Sequence, residues 1–283
     1  MNMKKEKNKR WLCLLVGISL VAGLTACVDE TMISSAGEGR SVVVDAEINS
    51  LQPVTNITRA AVEENTYDRT TFVTGDKIRI TRTQSGKNTA TDYQLAQSDG
   101  WTTSGTALTL LAGASYQAVY PAGNDAGIQY DQSTKENYIK SNRLVSAAIA
   151  SPETELLKFA FGHQNTKLTL VFQPKVAGAL PSDFTFQVSA PGLQTGGTKA
   201  EIIKLFKSDN MTWCGIIYPK GAATSITVTM TYNQVAYSST FDCEMKAGTH
   251  YKYTLSLRND ILVPEVNQIL GWSNENIYTG PLN

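Results

Sequence analysis

Short runs in which apolar and polar residues alternate recur along most of the chain, and they restrict it to a fold built of strands. Alternation places apolar side chains on one face of a strand, whereas a helix needs a spacing of three to four residues. Turn residues separate the runs, and no stretch has helical periodicity, so we expect an all-β protein of antiparallel sandwiches. The clearest runs lie at residues 41–48, 77–81, 93–95, 108–110, 116–120, 158–172, 184–188, 202–205, 213–218, 226–232, 236–241 and 251–257.

The middle of the sequence holds one strong prediction and two weaker ones. Apolar residues alternate in residues 159–161 and again in 168–172, so two strands meet near Gly162. Residues 122–140 are rich in Gly, Asn, Asp and Gln, which predicts a long loop. Residues 143–150 fit either a short helix or a strand.

The first 27 residues have the pattern of an export signal. A cationic leader precedes an apolar segment at residues 11–23, which is too short to cross a bilayer. Leu24-Thr25-Ala26-Cys27 then looks like a bacterial lipobox. In such a box residues 1–26 are removed and the Cys27 sulfur carries a lipid, which holds the protein at a membrane. Residues 27–40 are mostly polar and read as a tether.

Charge gives no sign of a nucleic-acid partner. The chain has 25 basic and 25 acidic residues, and removing the leader takes away five basic residues and Glu6. The mature chain therefore has a net charge near −4, and a surface for nucleic acid would need the opposite sign.

The residues that carry catalysis or bind metals are sparse. His163 and His250 are the only histidines, with no cysteine or carboxylate at metal-ligand spacing. No nucleophile elbow, Walker loop or dinucleotide fingerprint occurs. We therefore expect a binding or structural protein rather than an enzyme, with no metal and no cofactor. Cys214 and Cys243 lie in strand-like runs and could form a disulfide in an exported protein or remain as buried free thiols.

Both ends of the mature chain have features that suggest assembly. Val42, Val44, Ala46 and Ile48 form one face of the first predicted strand, and a polar stretch with Arg59 follows. An exposed arginine in a loop is a place where proteases cut, although an ordinary solvated arginine fits the sequence as well. Near the other end, Ile261, Val263, Val266, Ile269 and Trp272 either pair with their own sheet or add an edge to another subunit.

In their order along the chain, several features together resemble the fimbrillin family, the lipoprotein pilins of Bacteroidetes also called type V pilins. They are the lipobox at Cys27, Thr58-Arg59-Ala60 ahead of Phe72 and Gly75-Asp76, Phe159-Ala-Phe-Gly-His163 leading to Lys167, Ala247-Gly248 before Tyr251, and Ile269-Leu-Gly-Trp272. The chain departs from the family at residues 162–167, which are more polar than the usual His-Ala-Leu-x-Lys run.

This resemblance implies two tandem transthyretin-like β-sandwich domains, which we place at residues 41–162 and 163–283. It also implies a trypsin-like protease that cuts after Arg59, with Arg40 as the less favoured site. Loss of the first strand would open a groove, and the tail of another subunit, at about residues 261–283, would fill it. The chain would then be a structural subunit or adhesin of a surface fimbria.

The partners implied are other fimbrial subunits, the maturation protease, the outer membrane through the lipid, and a host or glycan ligand. The alternative is a surface lipoprotein that never polymerises. It would bind glycan by stacking sugars on Trp101 or on the loop between Tyr130 and Tyr138.

Overall fold

The structure is a computed structural model that describes residues 39–49, 70–98, 100–123, 127–174, 184–259, 261–272 and 274–280. Within these ranges the chain forms 18 strands and one short helix. The strands of the first half are β1 Val43–Ile48, β2 Lys77–Gln84, β3 Lys87–Leu95, β4 Trp101–Thr102, β5 Ser115–Tyr120, β6 Leu144–Ser146, β7 Ile149–Ala150 and β8 Leu156–His163, and the helix is α1 Lys135–Ser141. The strands of the second half are β9 Thr166–Phe172, β10 Thr185–Pro191, β11 Ala200–Lys204, β12 Phe206–Asp209, β13 Thr212–Ile217, β14 Lys220–Tyr232, β15 Val235–Met245, β16 Thr249–Arg258, β17 Ile261–Gly271 and β18 Asn274–Gly280.

The first half of the chain forms one sheet of eight strands. Its order is β1-β8-β6-β5-β2-β3-β4, and β7 pairs with β5. Neighbouring strands in this sheet run antiparallel to each other, except that β1 is parallel to β8. Residues between Val42 and Phe161 form its hydrophobic core, in which Ile78, Ile80 and Tyr116 are fully buried.

The second half forms a sandwich of two sheets. One has the order β11-β10-β14-β15, and the other has the order β12-β13-β9-β16-β17-β18. Apolar side chains from the facing sides of both sheets meet in one core, which includes Phe186, Trp213 and Tyr253. The prediction of an all-β sandwich fold is therefore confirmed.

The two cores lie on opposite sides of a short polar stretch in the sequence. The first core ends at Phe161 and the second begins at Leu168, while His163, Asn165 and Lys167 between them are buried. The described residues of both halves belong to one compact unit. The division into two domains at residues 162 and 163 stays a prediction.

The predicted long loop at residues 122–140 differs from the structure, because α1 begins inside it. Thr134 caps this helix by accepting a hydrogen bond from the Asn137 backbone N–H at 3.3 Å, and Tyr138 is buried. A helix of seven residues makes fewer than two turns buried on one side, so it leaves no periodic pattern in the sequence. Residues 143–150 form the two short strands β6 and β7 rather than a helix.

The structure does not form the disulfide that the sequence left open. Cys214 and Cys243 are both free, buried thiols. The Cys214 sulfur lies 3.4 Å from the Thr169 hydroxyl, beneath α1, whereas Cys243 belongs to the core between the two sheets. Burial raises the pKa of the Cys243 thiol to about 12. Among the described residues, none forms a helix long and apolar enough to cross a membrane.

The side chain of Gln132 joins the segment before α1 to the second half. Its Oε1 accepts from the Ile216 N–H at 2.8 Å, and its Nε2 donates to the Ile216 carbonyl at 2.7 Å. Both residues are fully buried. The amide thus takes the place of a neighbouring strand on β13 and satisfies two backbone groups that water cannot reach.

We expect Gln132→Ala to lower the free energy of unfolding by about 2 to 6 kcal/mol, because it leaves two buried backbone groups unpaired and each costs about 1 to 3 kcal/mol. Urea unfolding followed by tryptophan fluorescence measures the change. Gln164→Ala is the matched control, because the exposed Gln164 amide reaches only the Gly162 carbonyl. Equal losses in the two variants would contradict this role of Gln132.

Candidate functional site: the first-strand groove

The first strand lies at one edge of the eight-stranded sheet and pairs in parallel with β8. The register runs from Val43 opposite Leu156 to Ile48 opposite Phe161. At the two ends, the Val43 N–H donates to the Glu155 carbonyl and the Asn49 N–H donates to the Phe161 carbonyl, both at 2.8 Å. Parallel partners need a long connection, and here more than a hundred residues separate the two strands in the sequence.

The residues that lead into β1 pair with a different part of the chain. The Val42 N–H donates to the Leu108 carbonyl at 2.8 Å, and the Gly39 N–H donates to the Leu110 carbonyl at 2.9 Å. In return, the Leu110 N–H donates to the Arg40 carbonyl at 2.8 Å. Ser41 and Thr109 form an antiparallel bridge between the two segments.

One face of this first strand completes the first core. Val42, Val44 and Ile48 are only 6 to 7% exposed, and Ala46 packs against the same cluster. On the opposite face Val43 is 54% exposed. The strand and its inward face therefore agree with the alternation in the sequence, while its removal stays a prediction. Burying each of the three larger side chains stabilises the fold by about 1.5 to 3 kcal/mol.

Aromatic side chains of the first core surround Phe72, which lies shortly before β2. The Phe72 ring makes edge contacts with Trp101 at 5.2 Å, with Tyr120 at 5.5 Å and with Phe161 at 5.2 Å between ring centroids. Phe72 thus fixes the chain just before β2 to this cluster, on the far side of the segment that links β1 to the rest. The chain that begins at β2 is therefore held in the first core by Phe72, independently of β1.

The two predicted cleavage arginines differ in what a cut would do. Arg59 lies outside the described residues, as does Cys27. Arg40 is exposed and lies 3.6 Å from the Glu155 carboxylate, and its carbonyl is hydrogen-bonded to Leu110. A cut after Arg40 would leave β1 attached to the chain, whereas a cut between residues 49 and 70 would leave it held by noncovalent contacts alone.

The predicted donor segment at the end of the chain pairs with its own sheet. β17 is antiparallel to β16, and β18 is antiparallel to β17 at the sheet edge. Leu262, rather than its neighbours Ile261 and Val263, belongs to the second core, and Ile261 is 60% exposed. The side chains of Val266 and Ile269 lie outside what the structure describes. In this structure the tail therefore pairs with its own sheet, and its transfer to another subunit stays a prediction.

Trp272 anchors the turn between β17 and β18 to the polar stretch between the cores. Its ring stacks on His163 at 4.1 Å with an interplanar angle of 7°. His163 Nδ1 lies 2.9 Å from Asn142 Oδ1. Because an amide oxygen only accepts, Nδ1 donates the hydrogen bond in this pair.

Burial controls the protonation of both histidines. Loss of water and the nearby Lys167 ammonium lower the pKa of His163 to about 3. The same two causes, with Lys252, lower the pKa of His250, whose Nε2 lies 2.8 Å from the Thr169 hydroxyl. His163 is buried and His250 is half-buried. Among the described residues, no three His, Cys, Asp or Glu side chains are grouped as metal ligands.

The stacking platform predicted for a glycan is wrong for two of its three aromatic residues. Trp101 is half-buried against Phe72, and Tyr138 is 1% exposed because it lies on the buried side of α1 and packs against Phe206. Tyr130 is 64% exposed, but it has no aromatic neighbour among the ring contacts of the described residues. Glycan binding itself stays a prediction.

Comparison with known proteins supports the fold. No family model matches the sequence, and no curated protein matches it. Solved structures do match. One is a proposed cell adhesion protein of Bacteroides uniformis, with a TM-score of 0.57, 17% identity and coverage of 82% of this chain and 98% of that one. Another is a proposed cell adhesion protein of Bacteroides ovatus, with a TM-score of 0.56, 16% identity and coverage of 80% of this chain and 95% of that one.

The chain therefore has the fold of these Bacteroides proteins, in agreement with the fold that the fimbrillin resemblance implied. A fimbrial protein of Bacteroides ovatus matches with a TM-score of 0.48 and 16% identity, over 76% of this chain and 48% of that one.

We expect stability to fall as the pH drops from about 6.5 towards 3. The unfolded chain binds a proton at each histidine near pH 6.5, whereas folded His163 binds one only near pH 3. The free energy of unfolding should therefore fall by about 1.4 kcal/mol per pH unit for each proton that the unfolded chain binds and the folded chain does not. Urea midpoints between pH 7 and 4 measure it, and His163→Gln should have a shallower slope. An unchanged slope in that variant would contradict the burial of a neutral His163.

Proposed function

We propose that this protein is a structural subunit or adhesin of a surface fimbria that assembles by exchange of its first strand. The observation that supports the proposal most is the position of β1. It is an edge strand whose inward side chains complete the core, and it is joined to the rest of the chain through the segment that contains Arg59. The fold shared with Bacteroides proteins that are proposed to act in cell adhesion is consistent with this role.

Cleavage after Arg59 is the step that prepares the exchange. It would leave β1 bound only by its hydrogen bonds and its three well-buried side chains. Once β1 leaves, apolar side chains of the first core and the free edge of β8 are uncovered together. An apolar groove beside an open ladder attracts a strand and sets its register. Arg69 lies in the same linker, and a cut there would detach β1 as well.

A strand supplied by the tail of a neighbouring subunit would refill the groove. Each subunit then gives a strand to one neighbour and receives one from another, and such a head-to-tail contact produces a filament. Within residues 261–283, Leu262 and Trp272 are tied to their own chain. The proposed donor is the tail at about residues 261–283, and release of β18, which lies at the sheet edge, would make it available.

Export and anchoring follow from the leader. We propose that Cys27 carries lipid and places the precursor at the outer membrane, exposed at the cell surface. Because Cys27 precedes β1, the cut after Arg59 separates the lipid from the subunit and lets it enter a fimbrium. The partners are then other fimbrial subunits and an arginine-specific maturation protease, with a host or glycan ligand for an adhesin.

The test compares two arginine variants of the mature precursor. An arginine-specific protease should release a fragment that begins at Ala60 and then forms oligomers, which mass spectrometry and gel filtration detect. The double variant Arg59→Gln and Arg69→Gln should remain monomeric, whereas the matched control Arg40→Gln should be cut after Arg59 and should assemble like the wild type. A precursor that is cut after Arg59 but stays monomeric would contradict the proposal. One isolated from cells with its lipidated N-terminus intact would support the non-polymerising alternative.

A further inference from the structure

The groove has a second wall in addition to β8. The segment Leu108–Leu110 lies along the residues that lead into β1, and its three backbone groups that bond there are the Leu108 carbonyl, the Leu110 N–H and the Leu110 carbonyl. They pair in the antiparallel sense, whereas β8 pairs in the parallel sense. The first strand therefore passes from one partner to the other near Val42 and Val43.

Side chains of the sheet hold this second wall, and none of them comes from the first strand. The Tyr93 hydroxyl accepts from the Leu108 N–H at 2.9 Å. The Tyr116 hydroxyl donates to the Thr109 carbonyl at 2.8 Å and accepts from the Leu111 N–H at 3.0 Å.

The Arg82 guanidinium and the Thr91 hydroxyl add further bonds to the same segment. Arg82 Nη1 donates to the Thr109 carbonyl at 3.1 Å and to the Thr109 hydroxyl at 3.0 Å. Thr91 Oγ1 donates to the Thr106 carbonyl at 3.0 Å. Leu108 and Leu110 are also buried in the first core. The wall is thus fixed to β2, β3 and β5, whether or not β1 is present.

We infer that the strand that refills the groove is recognised on both walls, antiparallel to Leu108–Leu110 over its first part and parallel to β8 over its second part. Tyr93 and Tyr116 are the positioning residues for the first part. This inference rests on the proposed function, because it concerns the strand that replaces β1. It states which chemistry that strand needs.

The pattern of donors in the native strand defines that chemistry. Gly39 and Val42 donate to the second wall, whereas Val43 and Asn49 donate to β8 and its approach. The incoming strand must therefore span about ten residues at about 3.3 Å per residue, and it cannot have proline at these four positions. It needs apolar side chains at the positions of Val42, Val44 and Ile48, which face the core.

The experiment uses the full mature chain with a specific protease sequence at Arg59, so that the cut chain retains β1 until a competitor replaces it. Two fluorescent peptides are offered, one with residues 39–49 and one with residues 43–49, which lacks all contacts to the second wall. Fluorescence anisotropy measures each dissociation constant. We expect the short peptide to bind about tenfold more weakly or worse, because it loses three backbone hydrogen bonds and one buried valine.

The tyrosine variants separate positioning from general stability. In the double variant Tyr93→Phe and Tyr116→Phe, the advantage of the long peptide should shrink to about threefold or less, because the wall loses the hydroxyls that hold it. Tyr120→Phe is the matched control, since this buried hydroxyl bonds to Asp76. In Tyr120→Phe the ratio of the dissociation constants of the short and long peptides should be the same as in the wild type.

The outcomes distinguish this inference from the proposed function. Equal binding of the two peptides would overturn the second wall while leaving an exchangeable strand on β8. An unchanged ratio in the double tyrosine variant would overturn the positioning role of Tyr93 and Tyr116. Binding of neither peptide to the cut chain would overturn strand exchange and this inference with it.

Discussion

The parallel ladder between β1 and β8 is the contact on which the first half of the molecule depends. It joins the beginning of the described chain to a strand that ends at His163, so the sheet is complete only when both ends of this half are in place. Pairing with β8 also holds β1 in the position that places Val44 and Ile48 in the core. Because this contact lies at the edge of the sheet, we expect it to open more easily than the central strands β2 and β5.

The second half is held by different means. Its two sheets enclose their own core, and its outer face is covered by α1, Gln132 and Trp272. The buried polar residues between the cores contact side chains and backbone of both halves, although His163 Nε2 and Trp272 Nε1 have no hydrogen-bond partner among the described residues. Asn165 donates to the Ser141 carbonyl at 2.8 Å, and His163 faces Asn142 and Trp272. Loss of β1 removes none of these contacts, so the second half can stay folded while the groove is open.

Part of this arrangement could be predicted from the sequence. Alternation predicts β1, β5 and β8, because each buries one face more than the other, whereas β9 is buried on both faces. It does not predict which strand pairs with which, because pairing depends on contacts distant in the sequence. The parallel partner of β1 and the hydroxyl bonds of Tyr93 and Tyr116 therefore have no signal in their own segments.

Other features differ because a local pattern has more than one structural solution. The alternation at Leu108 and Leu110 predicts a strand, but the segment makes only an isolated bridge because tyrosine and arginine side chains take up its backbone groups. Trp101 follows a turn in the sequence, which suggests an exposed ring, but Phe72 packs against it and leaves it half-buried. The apolar tail suggests a protruding donor, but β16 offers a free edge in the same chain, and β17 occupies it.

The central claim is that the first strand must leave before subunits can join. The register places Val43 opposite Leu156, with both side chains exposed, so the double variant Val43→Cys and Leu156→Cys can join β1 to β8 by a disulfide on the outer face. After the linker is cut, the oxidised variant should remain monomeric in gel filtration, and reduction should restore assembly to that of the Val43→Cys single variant. Assembly of the oxidised, disulfide-bonded protein at the same rate as the reduced one would contradict the account.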